Sequence, residues 1–191
     1  METYRLFIAA ELPPRVKVEL LAAQERLRRG GPPVKWTAPE AMHLTLHFLG
    51  ETDVALLPQL GAAMRAALDG QRAIELHLAA AGAFPNLRRP NVVWAGVGGA
   101  VAALERAYAA LGAALGALEM PREARPFRAH LTLGRVRREA TPAQQEQLGE
   151  AIRSLPPFAP EPWAVERVVL FRSDLRGPGP IYSELDSAAL S

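Results

Sequence analysis

The chain has 191 residues and no cysteine, which excludes a disulfide framework, thiolate catalysis and cysteine-bound zinc. Hydrophobic residues make up 49% and charged ones 22%, a balance that supports a buried core and is unlike a disordered chain. The net charge is only +2, and Lys17 and Lys35 are the only lysines among 22 basic residues; arginine's planar fork suits phosphate, but an Arg-, Ala- and Pro-rich genome explains the same bias, so charge alone does not imply nucleic acid.

The start, METYRLFIAAELPPRVK, has an acid at Glu2 and lacks the basic opening and long apolar core of a secretory leader. No apolar run approaches the roughly 18 residues of a membrane span. A cytoplasmic protein without membrane attachment is expected. Residues 4–12 read as a buried strand ending at a Pro-Pro helix start. Val16, Leu20, Ala23 and Leu27 then follow at helical spacing up to Gly30 and Gly31. A short extended piece at 32–36 leads to a strand at 42–49, and Leu57, Leu60, Met64 and Leu68 mark one face of a helix at 54–69. Residues 73–84 alternate as a strand, and 84–90 (FPNLRRP) form a loop.

The second half runs through similar elements: a strand at 91–97, a helix at 100–118, a loop at 121–126 and a strand at 127–136. A helix at 141–155 opens with Thr141 as N-cap and Pro142 behind it. A single long strand at 163–173 and a short extended tail close the chain. The expected architecture is α+β: a bilobal, pseudo-twofold arrangement of two similar β-sheet lobes, about 1–84 and 91–191, with outer helices and a central cleft. Two units make this an internal duplication and not a solenoid, and no linker argues for more than one domain.

Each half carries the same four residues. MHLTLHFLG (42–50) and AHLTLGRV (129–136) share H-L-T-L, and they take two of the chain's four histidines and two of its six threonines. On a strand, residues i and i+2 share a face, roughly 6.6–6.8 Å apart. His43 and Thr45 therefore point one way while Leu44, Leu46 and Phe48 point into the core; His130 and Thr132 are opposed in the same manner by Leu131 and Leu133. One His-x-Thr on a strand is ordinarily a structural pair. Repeated, it puts two imidazoles and two hydroxyls around one space, and core packing explains the leucines but not the outward polar residues. Two imidazoles can act as base and acid near neutral pH, and the hydroxyls can hold an oxyanion such as phosphate.

The paired H-x-T-x motifs resemble those of the two-histidine phosphoesterase superfamily. RLFIAAELP, HLTLHFLGE, GAFPNLRRPNVVWAGV, FRAHLTLGRV and LFRSDLRGPGPIYSEL together resemble the RNA 2′,3′-cyclic phosphodiesterases, also called 2′-5′ RNA ligases, over nearly the whole chain. The resemblance implies hydrolysis of RNA 2′,3′-cyclic phosphate ends to 2′-phosphomonoesters without metal or cofactor, reversible as 2′-5′ ligation. It implies His43 as proton donor to the departing 3′ oxygen, His130 as the base that activates water, and Thr45 and Thr132 as phosphate ligands. Arg135 matches a family arginine near phosphate. Strict alternation from His130 would turn it away, and Gly134 could allow a bulge or a strand end that turns it back. The partners implied are RNAs with cyclic phosphate ends, tRNA fragments among them, met by a monomer.

Other features carry less. His47 shares the parity of His43 and is expected at the rim of the site; His77 is expected to be structural. GVGGAV (96–101) lacks the third glycine of a dinucleotide fingerprint. Arg88, Arg89, Arg125 and Arg128 flank the expected cleft, where an RNA backbone or solvent would meet them equally well. Two rival readings remain: a phosphodiesterase for small cyclic phosphates or 2′-5′ oligonucleotides, and a non-catalytic RNA-end-binding module.

Overall fold

A computed structural model describes residues 2–121, 123, 126–175 and 179–190. Its strands are β1 (Thr3–Glu11), β2 (Val34–Trp36), β3 (His43–Asp53), β4 (Ile74–Phe84), β5 (Val92–Gly99), β6 (His130–Val136), β7 (Trp163–Val165), β8 (Arg167–Asp174) and β9 (Ile181–Ala189). The helices are α1 (Pro14–Arg28), α2 (Leu57–Leu68), α3 (Val101–Ala117) and α4 (Pro142–Arg153). None is long and apolar enough to cross a membrane.

The helices form where their apolar spacing places them. Val16, Leu20, Ala23 and Leu27 are buried along α1, and Leu60, Met64 and Leu68 along α2. At α4 the Thr141 hydroxyl accepts from the Gln144 N–H while the Gln144 side chain accepts from the Thr141 N–H, which caps two otherwise unpaired donors.

Two antiparallel sheets result, one in the order β3-β1-β8-β9 and the other β2-β6-β5-β4-β7. The sheets do not coincide with the two sequence halves, which corrects the expected lobes at 1–84 and 91–191. β2 and β4 of the first half lie in the five-stranded sheet, and β8 and β9 of the second half complete the four-stranded one. The helices cross as well. α1 follows β1, yet its Gln24 bonds the β6 carbonyl of Leu133 at 2.7 Å and its Arg15 bonds Pro162 O at 2.8 Å. α3 follows β5, yet packs on α2 and reaches β3. The expected strand at 163–173 is also two strands: it breaks at Glu166, with β7 paired to β4 in one sheet and β8 to β1 in the other. The tail is longer than expected, since β9 pairs with β8 from Ile181 to Ala189.

Both motif strands contain a bulge at the same place. The β1–β3 register steps from Ala9↔Thr45 to Ile8↔His47, leaving Leu46 as the extra residue. The β5–β6 register steps from Trp94↔Thr132 to Val93↔Gly134, leaving Leu133 as the extra residue. The last leucine of each H-L-T-L is thus a bulge that resets the alternation behind it. Leu44, Leu46, Leu131 and Leu133 are all buried, each contributing about 1.5–3 kcal/mol by leaving water. The Leu133 carbonyl, displaced from its ladder, accepts from Thr37 N–H and Gln24 Nε2.

Gly134, next to this bulge, is fixed by the closeness of β2. A Cβ there would lie 2.6 Å from Val34 Cγ1 and 3.0 Å from Trp36 Cε3. Gly134→Ala is expected to destabilise the protein by about 1–3 kcal/mol through overpacking, read as a lower denaturant midpoint. An unchanged midpoint would mean that β2 yields without cost.

Candidate active site

β3 and β6 belong to different sheets but pack next to each other, which brings the two motifs to one place. Each histidine opens its strand, half-buried, with the threonine two residues on also half-buried. The arrangement follows from strand alternation before the bulge: the intervening leucines are drawn into the core, which leaves His and Thr on the face between the sheets.

His43 sits among aromatic rings of its own sheet. Its imidazole stacks on Phe7 at 4.7 Å between centroids and meets the edge of Tyr182 at 5.2 Å. Phe7 in turn stacks on Phe171 at 5.2 Å. Burial here lowers the His43 pKa to about 4, helped by the positive charge of Lys17 and opposed by a hydrogen bond with the Ala41 backbone. In the unliganded protein His43 is therefore neutral at pH 7.

His130 is held differently. Its ring lies edge-on to Phe84 at 5.1 Å, and Nδ1 is 2.7 Å from the carbonyl oxygen of Arg128. A carbonyl only accepts, so Nδ1 carries the hydrogen and the neutral ring keeps its free lone pair on Nε2. That is the form a general base requires.

The bulge at Leu133 returns Arg135 to the face of His130 and Thr132. Leu133 and Gly134 are both buried, and Arg135 is exposed. The Arg135 guanidinium and Arg5 act electrostatically on the Tyr182 hydroxyl, while burial, the larger effect, raises its pKa. Tyr182, which touches His43, is thus within electrostatic reach of Arg135 on the second motif strand.

The bulge at Leu46 has the corresponding effect on β3 and overturns two expectations. His47 pairs with Ile8 on the helix side of the sheet, not on the face of His43. Its ring stacks on Tyr108 of α3 at 4.2 Å, and Nε2–H donates to the Tyr108 carbonyl at 2.9 Å. Burial lowers its pKa. Phe48, expected in the core, pairs with Phe7 and is 61% exposed. It occupies on β3 the place that Arg135 occupies on β6.

Among the other residues singled out, His77 lies on β4 against Gly98, where a Cβ would meet its Nε2 at 2.5 Å. GVGGAV forms the tight β5–α3 connection, in which Gly99 has φ 95° and the Ala100 N–H bonds the Glu75 carbonyl. Arg88 and Arg89 are exposed on a loop whose N–H groups are tied to Asn86 Oδ1. Arg128 is exposed, and Arg125 lies outside the described residues. Among the described residues no three His, Asp or Glu side chains converge so as to hold a metal ion. Sequence reasoning missed Phe7 and Tyr182 as neighbours of His43, and Phe84 as the neighbour of His130.

The family model for LigT-like phosphoesterases matches residues 11–94 and 98–182, one stretch in each half. The chain is 31% identical to an RNA 2′,3′-cyclic phosphodiesterase of Methanothermobacter thermautotrophicus, covering 95% of this chain and 96% of that protein. It is 35% identical to one of Thermus thermophilus, covering 97% and 90%. Among solved structures, the Thermus thermophilus protein TT0787 superposes with a TM-score of 0.79 at 31% identity, covering 97% of both chains. E. coli LigT complexed with 3′-AMP superposes with a TM-score of 0.79 at 26% identity, covering 100% of this chain and 99% of that one. With a doubled motif, a shared topology and matches along nearly its whole length, this chain belongs to the LigT-like phosphoesterase family.

Proposed function

We propose that this chain hydrolyses the 2′,3′-cyclic phosphodiester at RNA ends to a 2′-phosphomonoester, with His130 as base and His43 as acid. The observation that carries the reading is the pair of H-L-T-L strands brought side by side from two sheets, each bulged at its last leucine. The names of the relatives, RNA 2′,3′-cyclic phosphodiesterases, supply the substrate. The reading takes residues 1–191 as one domain acting as a monomer in the cytoplasm, on RNA ends that include tRNA fragments.

In this mechanism the cyclic phosphate lies between the motifs, its free oxygens bound by Thr45 and Thr132 and its charge met by Arg135. His130 Nε2 takes a proton from water as the water oxygen bonds to phosphorus. The bond from phosphorus to O3′ breaks, and His43 protonates the departing oxygen. The assignment of acid and base follows the family resemblance, and the Nδ1–H anchor of His130 supports it. His43, neutral when the site is empty, takes up its proton as the phosphate anion enters and stabilises the imidazolium. By microscopic reversibility, a 5′-hydroxyl in place of water gives a 2′-5′ linkage.

The test is turnover of a short RNA ending in a 2′,3′-cyclic phosphate, with excess EDTA, beside the corresponding cyclic mononucleotide. A 2′-phosphate product, formed faster from RNA and unaffected by EDTA, is expected. Preference for the mononucleotide would move the substrate to small cyclic phosphates. Binding without turnover would leave an RNA-end-binding module, and loss of activity in EDTA would overturn the metal-free mechanism.

A further inference from the structure

His130 owes its tautomer to a carbonyl that is not in a sheet. The acceptor, Arg128 O, lies two residues before β6 begins at His130. A backbone segment of this kind has no ladder to hold its carbonyl in place, so side-chain packing must do it. Phe127 and Ala129, on either side of Arg128, pack against the core, and Phe127 is the larger side chain. The Phe127 ring stacks on Tyr108 of α3 at 4.2 Å and 17°, and Tyr108 stacks on His47 at 4.2 Å and 8°. The three rings form a nearly parallel ladder. Its far end is fixed, because His47 Nε2–H donates to the carbonyl of Tyr108 itself. The His47 ring also crosses α3 so closely that a Cβ on Gly112, one turn beyond Tyr108, would stand 3.3 Å from Cε1.

We infer that His47, Tyr108 and Phe127 are positioning residues for His130. The ladder starts on the strand that carries His43 and ends beside the carbonyl that orients His130, so it ties the two histidines to each other through α3. Its members are assigned no contact with substrate or reacting atoms. They act by keeping Arg128 O where Nδ1–H can reach it, which leaves Nε2 as the base. The bulge at Leu46, which turns His47 away from the cleft, is what makes it available for this role. The consequence for rate rests on the proposed function, whereas the consequence for the His130 tautomer does not.

Both are measurable. In Tyr108→Leu and in Phe127→Leu the stack is cut while apolar bulk is retained. The kcat on cyclic-phosphate RNA is expected to fall about tenfold or more, as for other small misplacements of a catalytic group, with KM changed less than about twofold. In substrate-free protein, imidazole ¹⁵N spectra should show His130 protonated on Nδ1 in the wild type and divided between tautomers in both variants. Tyr108→Phe, which keeps the ring, should restore both readouts, and His47→Phe, which keeps the stack but not the hydrogen bond, should fall between. Wild-type kcat and an unmixed His130 tautomer in Phe127→Leu would overturn the proposal; so would a tautomer change in that variant that Tyr108→Leu does not share. If Tyr108→Leu does not fold, Phe127→Leu and His47→Phe decide in its place. An inactive wild type with the expected tautomer pattern would refute the proposed function and leave the ladder standing.

Discussion

His130→Ala and His43→Ala are each expected to lower single-turnover kcat on cyclic-phosphate RNA by about 10²–10⁴, the usual worth of a positioned proton-transfer group. The double variant should be little worse than the poorer single. In the proposed mechanism base and acid serve one transition state: without His130 the water enters poorly activated, and the proton that His43 would give no longer meets a well-formed leaving group. Losses of residues that work as a unit do not add. Substrate affinity should change far less, because the proposed phosphate ligands Thr45, Thr132 and Arg135 remain. Neither change should unfold the protein: neither side chain belongs to the fully buried core, and the Arg128 carbonyl released in His130→Ala lies at an exposed bond that water can satisfy. A single variant with wild-type kcat, or a double variant whose loss equals the product of the singles, would contradict a concerted pair.

The site was legible where its signal is local. His43, Thr45, His130 and Thr132 are written at period two against buried leucines, and a strand needs nothing else to sort them. Arg135 was legible in part, since a bulge or strand end at Gly134 could turn it back, and the bulge exists one residue earlier, at Leu133. His47 and Phe48 were misplaced because the Leu46 bulge belongs to the pairing with β1 at Ile8 and Ala9, and nothing within residues 42–50 records it. Phe7 was not legible as a neighbour of His43: Leu6 through Ala10 are all buried, so β1 has no exposed face to betray which side meets the site. The division of strands between sheets lay further out of reach. WAVERVVLFRS reads as one strand, and only the edges offered by β4 and β1 separate Trp163–Val165 from Arg167–Asp174. Fold class and internal duplication follow from pattern, whereas the crossing of α1 and α3 between sheets depends on contacts distant in the chain.

The state of His43 carries the second large expectation. Its pKa of about 4 in the empty site, set first by burial and then by Lys17, leaves no proton for a leaving group at neutral pH, so proton uptake must accompany substrate binding. The His130→Ala variant isolates this step, because a cyclic phosphodiester is a monoanion throughout the working range and is not consumed. At pH 5.5, calorimetry in buffers of different ionisation enthalpy should find close to one proton taken up as cyclic-phosphate RNA binds, and close to none when His43→Gln is added. Absence of uptake, in a protein that does lose stability in acid as described below, would remove His43 as the acid; absence of both would mean that His43 already carries its proton in the empty site. The same shift governs stability. An unfolded His43 binds its proton as pH falls through about 6.5, while the folded one resists until about 4, so acid favours the unfolded chain in this window. Stability should fall by roughly 3 kcal/mol from this residue as pH drops from about 6.5 to about 4, and His47, also shifted down by burial, adds in the same direction. Denaturant midpoints measured across that range should flatten in His43→Gln, and in the wild type a bound phosphate should restore part of what acid removes, because the ligand that charges His43 also stabilises the fold that binds it.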